Sequence, residues 1–455
     1  MKHLRSCKEA LDCVRTHLER RIISVQKECV PLAFEDGVKR LPDEILMCIF
    51  ELGHQATSST KFSFDVSHVC RRFRDVALAT PQLWARLHGN SRSAMPMRQE
   101  LVELLKSRFK QEDVEAIISI RSLSHFNHYY HERCVIDMAS EYNHRWSYLQ
   151  IDGGIPTSPL FPTMPTLSRL SRIQHTKRNN EMSTYPYEKW DLPKLFHFTG
   201  INVLPVFPMG SSIAVLELTL NLSSFTHHTG TRLVRTLLSL PRLYSLSLGF
   251  QSTAHVETAF SDVTIPVRLL KVPFKDSTDV SWATSFFSPI SFPNLAQLEV
   301  VLEEVWPADD FMDLVLSRRF MMFSHVHTLR LTTSHKLRHG LLQQVFNYVP
   351  SVRDLFVDTP CTVLLPRGSA PSSNAPCWPP LQTLCIKHST TLSDRQMEDI
   401  VDKIRLDGNW EQFKSFEVVA CAGLSEGFLF YIASKMDGKL EWTHAAAAWG
   451  EAEPL

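Results

Sequence analysis

The chain has 455 residues, of which 44% are hydrophobic and 21% charged, an ordinary composition for a folded protein. Lys plus Arg and Asp plus Glu both number 48, and this zero formal net charge argues against a dedicated nucleic-acid-binding protein. The amino-terminal residues are charged and lack the apolar core of a secretory signal, and no apolar run reaches the roughly 18 residues of a membrane span. We therefore expect a cytoplasmic protein, a nuclear protein or both, with reduced cysteines and no membrane contact.

Residues 4–27 follow the helix period, with charged residues between the apolar ones. The apolar positions are Leu4, Leu11, Val14, Leu18, Ile22 and Val25. We interpret residues 1–30 as an amphipathic helix that packs on its own chain. A helix that dimerises is the alternative, because the pattern is short for a coiled coil.

Residues 40–89 predict a unit of three short helices. Pro42 suits the first position of a helix, where its missing N–H costs nothing, and Asp43 and Glu44 favour the positive end of the helix dipole. A polar loop is predicted over 53–63, a second helix from Asp65, and a third after Thr80 and its following proline. So small a core is marginal alone, and we expect it to gain stability from a partner or from the rest of the chain.

The same stretch resembles an F-box, and specifically the F-box proteins of mushroom-type fungi. The resemblance rests on LPDEILMCIFEL, on VSHVCRRFRDVALATPQLW and on the closing Leu-Trp pair. Phe73 stands where the family often has Trp, and the loop between the helices is somewhat long. The resemblance covers about fifty residues of the chain.

The resemblance implies a docking module for a Skp-type adaptor, which connects F-box proteins to a cullin–RING ubiquitin ligase. An apolar helix face is also what a helix-in-groove contact requires. The residues that we expect to bind the adaptor are Leu41, Pro42, Ile45, Leu46, Ile49, Phe50, Val69, Cys70, Phe73, Leu83 and Trp84. The alternative for each is plain core packing, which is as plausible as binding for Val69, Phe73 and Trp84.

After residue 110 the pattern changes to a repeat of the form apolar-x-x-apolar-x-apolar. From Ile213 onward the repeats begin 30, 24, 28, 31, 26, 29 and 32 residues apart. The frame begins at Trp146, Ile213, Leu243, Val267, Leu295, Val326, Val352, Leu381 and Phe413. Such a period with short alternating strands resembles a leucine-rich repeat.

The predicted fold class is therefore α/β: a three-helix F-box followed by an irregular leucine-rich-repeat-like α/β solenoid over 112–430. The family's Asn or Cys at the ninth frame position occurs only as Asn221 and Cys421, which indicates a degenerate array. A generic α/β domain is the alternative. The Pro- and Ser-rich segment 366–380 is expected to be a mobile loop, and residues 431–455 a carboxyl-terminal tail.

The outward positions of the predicted strands carry the residues that we expect to contact a target protein. These candidates are Glu299, Arg330, Asp354, Asp358 and Lys387. For any one of them, a solvated position without a ligand is the simpler interpretation.

Motifs that would indicate catalysis are missing from the sequence, which has neither Gly-x-Ser-x-Gly nor His-Glu-x-x-His. His125, His128, His131 and Cys134 suit zinc by residue type, but steps of three on a helix leave only neighbours on one face. We therefore expect no cofactor, no metal and no enzymatic activity of the chain itself. The hypotheses are a substrate receptor of a ubiquitin ligase, an F-box scaffold without ligase activity, and a hydrolase or metal enzyme within the repeats.

Overall fold

The structure is a computed structural model that divides into two compact units, 1–88 with 97–114 and 89–96 with 115–455. It describes residues 11, 14–29, 38–57, 61–90, 114–119, 143–153, 166–177, 183–224, 226–251, 262–275, 280–303, 325–333, 340–360, 364–365, 378–406 and 410–443. None of the described helices is long and apolar enough to span a bilayer.

A helix occupies residues 14–29 of the first unit, within the predicted amphipathic segment. Its apolar side chains, Leu18 and Ile22 among them, are exposed. The helix period of the sequence therefore predicted the backbone correctly, but the apolar face that was expected to pack on the chain itself is exposed, and self-association of this helix stays a prediction.

Three helices and a closing turn follow: α1 (Asp43–Ala56), α2 (Lys61–Ser67), α3 (Arg71–Ala79) and a 3₁₀ turn at Pro81–Trp84. The sequence-based division was partly wrong. Helix α1 runs through the predicted loop as far as Ala56, the predicted second helix is two helices, and the predicted third helix is the 3₁₀ turn.

The break between α2 and α3 has a local cause at Cys70. Its backbone is extended, and its Sγ accepts a hydrogen bond from the Phe73 N–H at 3.5 Å. A residue in that conformation caps the helix that follows and ends the one before. The apolar spacing continues across the break, which is why the sequence predicted a single helix.

Aromatic rings make the core of these helices. Phe50 and Phe73 meet edge to face at 5.1 Å, and Phe64 and Trp84 at 5.3 Å. The Trp84 indole N–H donates to the Ala77 carbonyl at 2.7 Å, so the closing turn is held on α3. This buried indole is both packed and satisfied, as a buried Trp requires.

The second unit contains a parallel sheet whose strands pair in chain order. Its strands are β1 (Trp146–Asp152), β2 (Arg172–Thr176), β3 (His197–Ile201), β4 (Val215–Asn221), β5 (Ser245–Gln251), β6 (Leu269–Lys275), β7 (Gln297–Glu303), β8 (Thr328–Thr333), β9 (Asp354–Asp358), β10 (Thr383–Lys387), β11 (Ser415–Val419) and β12 (Leu440–Thr443). Arg86–Asn90 and Val114–Ser119 are also strands. The short strands Ser183–Pro186 and Val203–Val206 pair with each other, as do Val263–Thr264 and Ile290–Ser291.

The register of the sheet follows the repeat frame of the sequence. Strands β4 to β11 each begin two residues after the predicted start, so that the second apolar residue of every frame is paired with its equivalent. That row of buried residues runs Leu216, Leu246, Leu270, Leu298, Leu329, Leu355, Leu384 and Phe416. A slip by one residue would turn the row to the solvent, so burial fixes the register.

Helices connect several of the strands. They are His227–Leu238, Val280–Phe287, Leu341–Tyr348, Asp394–Leu406 and Glu426–Lys435. The first and third each end shortly before the next frame start, at Leu243 and Val352. Neighbouring parallel strands run in the same direction, so the chain needs a crossover of this kind to return from the end of one strand to the beginning of the next.

Two predicted boundaries differ from the structure. The predicted tail begins at residue 431, but the last helix ends at Lys435 and β12 continues the sheet to Thr443. Trp378 was assigned to the mobile loop, yet it is buried with its ring centroid 4.7 Å from that of Phe346. Residues 366–377 of that loop lie outside the described residues.

The second unit contains a buried histidine in its second strand. His175 in β2 has its Nδ1 2.6 Å from the Tyr187 hydroxyl and its Nε2 3.1 Å from the Gly153 carbonyl oxygen. A neutral imidazole satisfies both contacts if Nε2–H donates to Gly153 and Nδ1 accepts from Tyr187. Burial lowers the pKa of His175 to about 4.

The second unit is therefore expected to lose stability in mild acid. The unfolded chain binds a proton at His175 near pH 6.5 while the folded chain does not, so the free energy of unfolding falls as the pH drops from about 6.5 to about 4, by up to about 3 kcal/mol. Urea unfolding at pH 7.5 and 5.0 measures this loss. His175→Gln should reduce the loss and exposed His228→Gln should not, whereas equal losses in all three proteins would contradict the assignment.

Candidate functional site

Helix α1 divides its apolar residues between two faces. Leu46 and Phe50 are 2% and 3% exposed and belong to the core. Ile45, Ile49 and Leu52 are 46%, 47% and 65% exposed, and their spacing of four and three residues places them on one outer stripe. We call Ile45, Ile49 and Leu52 the α1 stripe.

The amino-terminal edge of α1 is held by a cation from α3. The Arg72 guanidinium contacts the Asp43 carboxylate at 2.6 Å and donates to the carbonyls of Val38, at 3.1 Å, and Leu41. These contacts fix the exposed Pro42 at the start of the α1 stripe. Arg72 therefore orders this edge from within the unit, a role that the spacing of the sequence did not indicate.

The predicted adaptor-binding residues fall into three groups by exposure. Leu46, Phe50, Leu83 and Trp84 are buried, and in this structure they form the core behind the α1 stripe. Leu41, Cys70 and Phe73 are half-buried, and Pro42, Ile45, Ile49 and Val69 are exposed. Adaptor binding by each of these residues stays a prediction, and the exposed group is the one that a partner can reach directly.

Sequence reasoning missed two exposed residues of α1. Leu52 completes the α1 stripe, and the free Cys48 is exposed beside it. The signal was present, because Ile45, Ile49 and Leu52 share one spacing. It was not used because Ile45 and Ile49 were grouped with Leu46 and Phe50 as one set of binding residues.

The five predicted target-binding residues lie on four neighbouring strands. Glu299 in β7 and Arg330 in β8 are paired in register, and so are Asp358 in β9 and Lys387 in β10. Asp354 lies in register with Thr328 of β8. Since alternate residues of a strand point to one side, all five belong to the outer face of the sheet.

Two of these residues have partners that sequence reasoning missed. Glu299 forms an ion pair with Lys271 of β6 at 2.6 Å, and the exposed Arg330 stacks its guanidinium 4.1 Å from the centre of the Phe356 ring. Cation, anion, cation and aromatic ring thus follow one another along a single row of the sheet. A contact with the face of the Phe356 ring does not use the N–H donors of Arg330.

The next residue of the row is a thiol with little nucleophilic character, Cys385. Cys385 is buried, and burial together with a hydrogen bond to Glu417 raises its pKa to about 12. At neutral pH this side chain remains a protonated thiol. It lies in register with Phe356 on one side and with Glu417 of β11 on the other.

A second pair lies at the carboxyl ends of the same strands. His388 has its Nδ1 2.8 Å from an Asp358 carboxylate oxygen, and it follows β10 with a φ of 54°. Asp358 therefore has a partner within the chain, as Glu299 does. Arg330 is the exposed member of the five candidates, and the other four are half-buried.

Groups of His, Cys, Asp or Glu that could hold a metal ion are not found among the described residues. The cluster of His125, His128, His131 and Cys134 lies outside those residues. The prediction of no metal and no cofactor therefore stays a prediction.

Comparison with known proteins identifies the first unit in part. A family model described as F-box-like matches residues 38–90, which include α1, α2, α3 and the closing turn. No curated protein matches the sequence. F-box-like domains serve protein–protein interaction and typically bind Skp-type adaptors.

Exposure separates the structural from the binding role within α1. Phe50→Ala should lower the free energy of unfolding by about 3 kcal/mol or more, because it leaves a cavity among the rings. Ile49→Ala should change it by less than about 1 kcal/mol, because Ile49 is half exposed on a helix that tolerates Ala. Chemical denaturation of the two variants checks this, and equal destabilisation would contradict the division of faces.

Proposed function

We propose that the protein is the substrate-recognition subunit of a Skp–cullin–F-box ubiquitin ligase. The observation that carries this proposal is the exposed α1 stripe within an F-box-like domain. The chain itself performs no bond chemistry. It holds a target beside a ubiquitin-loaded enzyme, so that a bimolecular transfer becomes nearly intramolecular.

The adaptor docks on the α1 stripe and its proline edge. Three large apolar side chains at helical spacing are the anchors that a groove on a partner accepts. Exposure of these side chains to water is unfavourable for the free energy of the isolated chain, and their burial against an adaptor removes this unfavourable contribution. The rings of Phe50, Phe73 and Trp84 support the stripe from behind, and the half-buried Phe73 is the one of the three that an adaptor can reach most easily.

The adaptor contact can be tested with purified proteins. Ile45→Asp with Ile49→Asp should weaken the affinity for a Skp-type adaptor more than about 100-fold, since each anchor of this kind contributes about 2 kcal/mol when truncated. Calorimetry measures the dissociation constant. Leu238→Asp, at a similarly exposed apolar helix position in the second unit, is the matched control and should bind as the unchanged protein does.

Ligase membership is a separate question from adaptor binding. Precipitation of the protein from cells should recover both the adaptor and a cullin, and the Ile45→Asp, Ile49→Asp variant should lose both. Recovery of the adaptor without a cullin would instead favour an F-box scaffold without ligase activity. Cytoplasmic or nuclear localisation is part of the same proposal, because the ubiquitin machinery operates there.

The second unit is proposed to be an irregular leucine-rich-repeat-like solenoid. Three features support this: the strands pair in chain order, the starts of β4 to β11 keep a constant offset from the repeat frame, and Asn221 is buried with its side-chain oxygen accepting from the Ser223 N–H at 2.9 Å. Cys421 at the equivalent position has its Sγ 3.7 Å from the Ile386 carbonyl oxygen. Both side chains satisfy backbone groups at strand ends, as such repeats require.

The outer face of strands β7 to β10 is proposed to contact the target. Arg330 is its principal contact, because it is exposed and held flat on Phe356. Glu299, Asp354, Asp358 and Lys387 surround it and set the charge pattern that a target must match.

Proximity labelling in cells with the ligase blocked tests the target face. Arg330→Glu should deplete a subset of labelled proteins at least about fivefold, since reversing a contact charge of this kind costs about 1 kcal/mol or more. Arg395→Glu, an exposed Arg on a helix, is the control and should leave the labelling unchanged. Identical profiles for both variants would remove Arg330 from the target contact.

A further inference from the structure

A groove of about 540 Å³ lies in the second unit at the edge where strands β5 to β8 begin. Its wall carries Arg242, Arg268, His325 and His327, with the Tyr244 ring among them. The floor includes three prolines, which enter the strands without an N–H to offer a ligand: Pro241, Pro266 and Pro293. This groove is separate from the outer sheet face discussed above.

The groove is basic throughout its described lining. None of the lining residues is Asp or Glu, and no ion pair to another described residue neutralises Arg242 or Arg268. Both Arg side chains and both His side chains are exposed. The Arg268 guanidinium lies 5.8 Å from the centre of the Tyr244 ring, so its charge is held over an apolar surface.

The backbone aligns these groups in one row. The Arg268 N–H donates to the Tyr244 carbonyl at 3.0 Å, and the His327 N–H donates to the Ala296 carbonyl at 2.9 Å. The ladder continues from His327 to Arg353, whose side chain is also exposed. Arg268, Ala296, His327 and Arg353 thus occupy one row across neighbouring strands, which lie about 4.8 Å apart, so an extended peptide laid across these strands passes several basic side chains.

From this geometry we infer that the groove binds an acidic segment of a polypeptide. Arg242 and Arg268, which form no ion pair with another described residue, give the charge complementarity. Tyr244 and the prolines give an apolar surface on which the aliphatic parts of the peptide's side chains can pack. The volume suits a few residues rather than a folded domain. The zero net charge of the chain favours a peptide over a nucleic acid as the occupant.

The inference deepens the proposed function by naming the charge of one target segment, and in that respect it rests on the proposed function. Peptide binding and adaptor binding use different residues in different units. If the protein binds the adaptor but no acidic peptide, the adaptor proposal therefore stands and the groove inference fails. If it binds the peptide but no adaptor, it is a protein that binds acidic peptides and the proposed function fails.

Fluorescence anisotropy of the full chain with a labelled ten-residue Glu- and Asp-rich peptide tests the inference. Arg242→Glu with Arg268→Glu should weaken binding at least about tenfold, because two attractive contacts become repulsive. Arg242→Lys with Arg268→Lys should retain most of the affinity. Retained binding of the adaptor and an unchanged melting temperature confirm that the variants are folded.

The matched control carries the same change of net charge elsewhere in the unit. Arg235→Glu with Arg395→Glu alters two exposed helical Arg residues outside the groove lining and should bind the peptide as the unchanged protein does. Equal weakening by the control would reveal non-specific electrostatics and overturn the inference. It would also be overturned by no binding of the acidic peptide, or by tighter and groove-dependent binding of a single-stranded oligonucleotide of equal length.

Discussion

The structure of the first unit depends on how helix α1 divides its apolar residues. Leu46 and Phe50 are buried, with the Phe50 ring edge to face on that of Phe73, and this orientation turns Ile45 and Ile49 outward. The helix cannot bury both sides against so few residues, because α2 and α3 cover only one of them. An exposed apolar stripe is therefore a consequence of a small core, and it is the surface on which the proposed adaptor would dock.

The helix spacing of α1 could be predicted from the sequence, but its division into faces could not. Ile45 and Leu46 are adjacent and equally apolar, and only the positions of α2 and α3 decide which of them is buried. The extent of α1 was underestimated because Gly53 suggests a loop, whereas the close approach of the Phe62 ring accounts for a glycine there. The break at Cys70 was missed because the apolar spacing runs across it.

The sheet could be predicted to a greater extent than the helices of the first unit, because one repeated sequence pattern determines its register. Each frame contributes one buried residue to a common row, and burial fixes the pairing of every strand with the next. Partners across strands were not predictable in this way. The Lys271–Glu299 pair, the Arg330–Phe356 stack and the basic groove join residues from different frames, and the variable loop lengths between frames conceal these neighbours.

Two surfaces of opposite character therefore follow from one chain: an apolar stripe in the first unit and a polar, charged sheet in the second. The most direct test of the account is amide hydrogen exchange of the full chain with and without a Skp-type adaptor. The account predicts slower exchange in residues 42–52 on adding the adaptor, with the strands of the sheet unchanged. Unaltered exchange in α1 at saturating adaptor would contradict it.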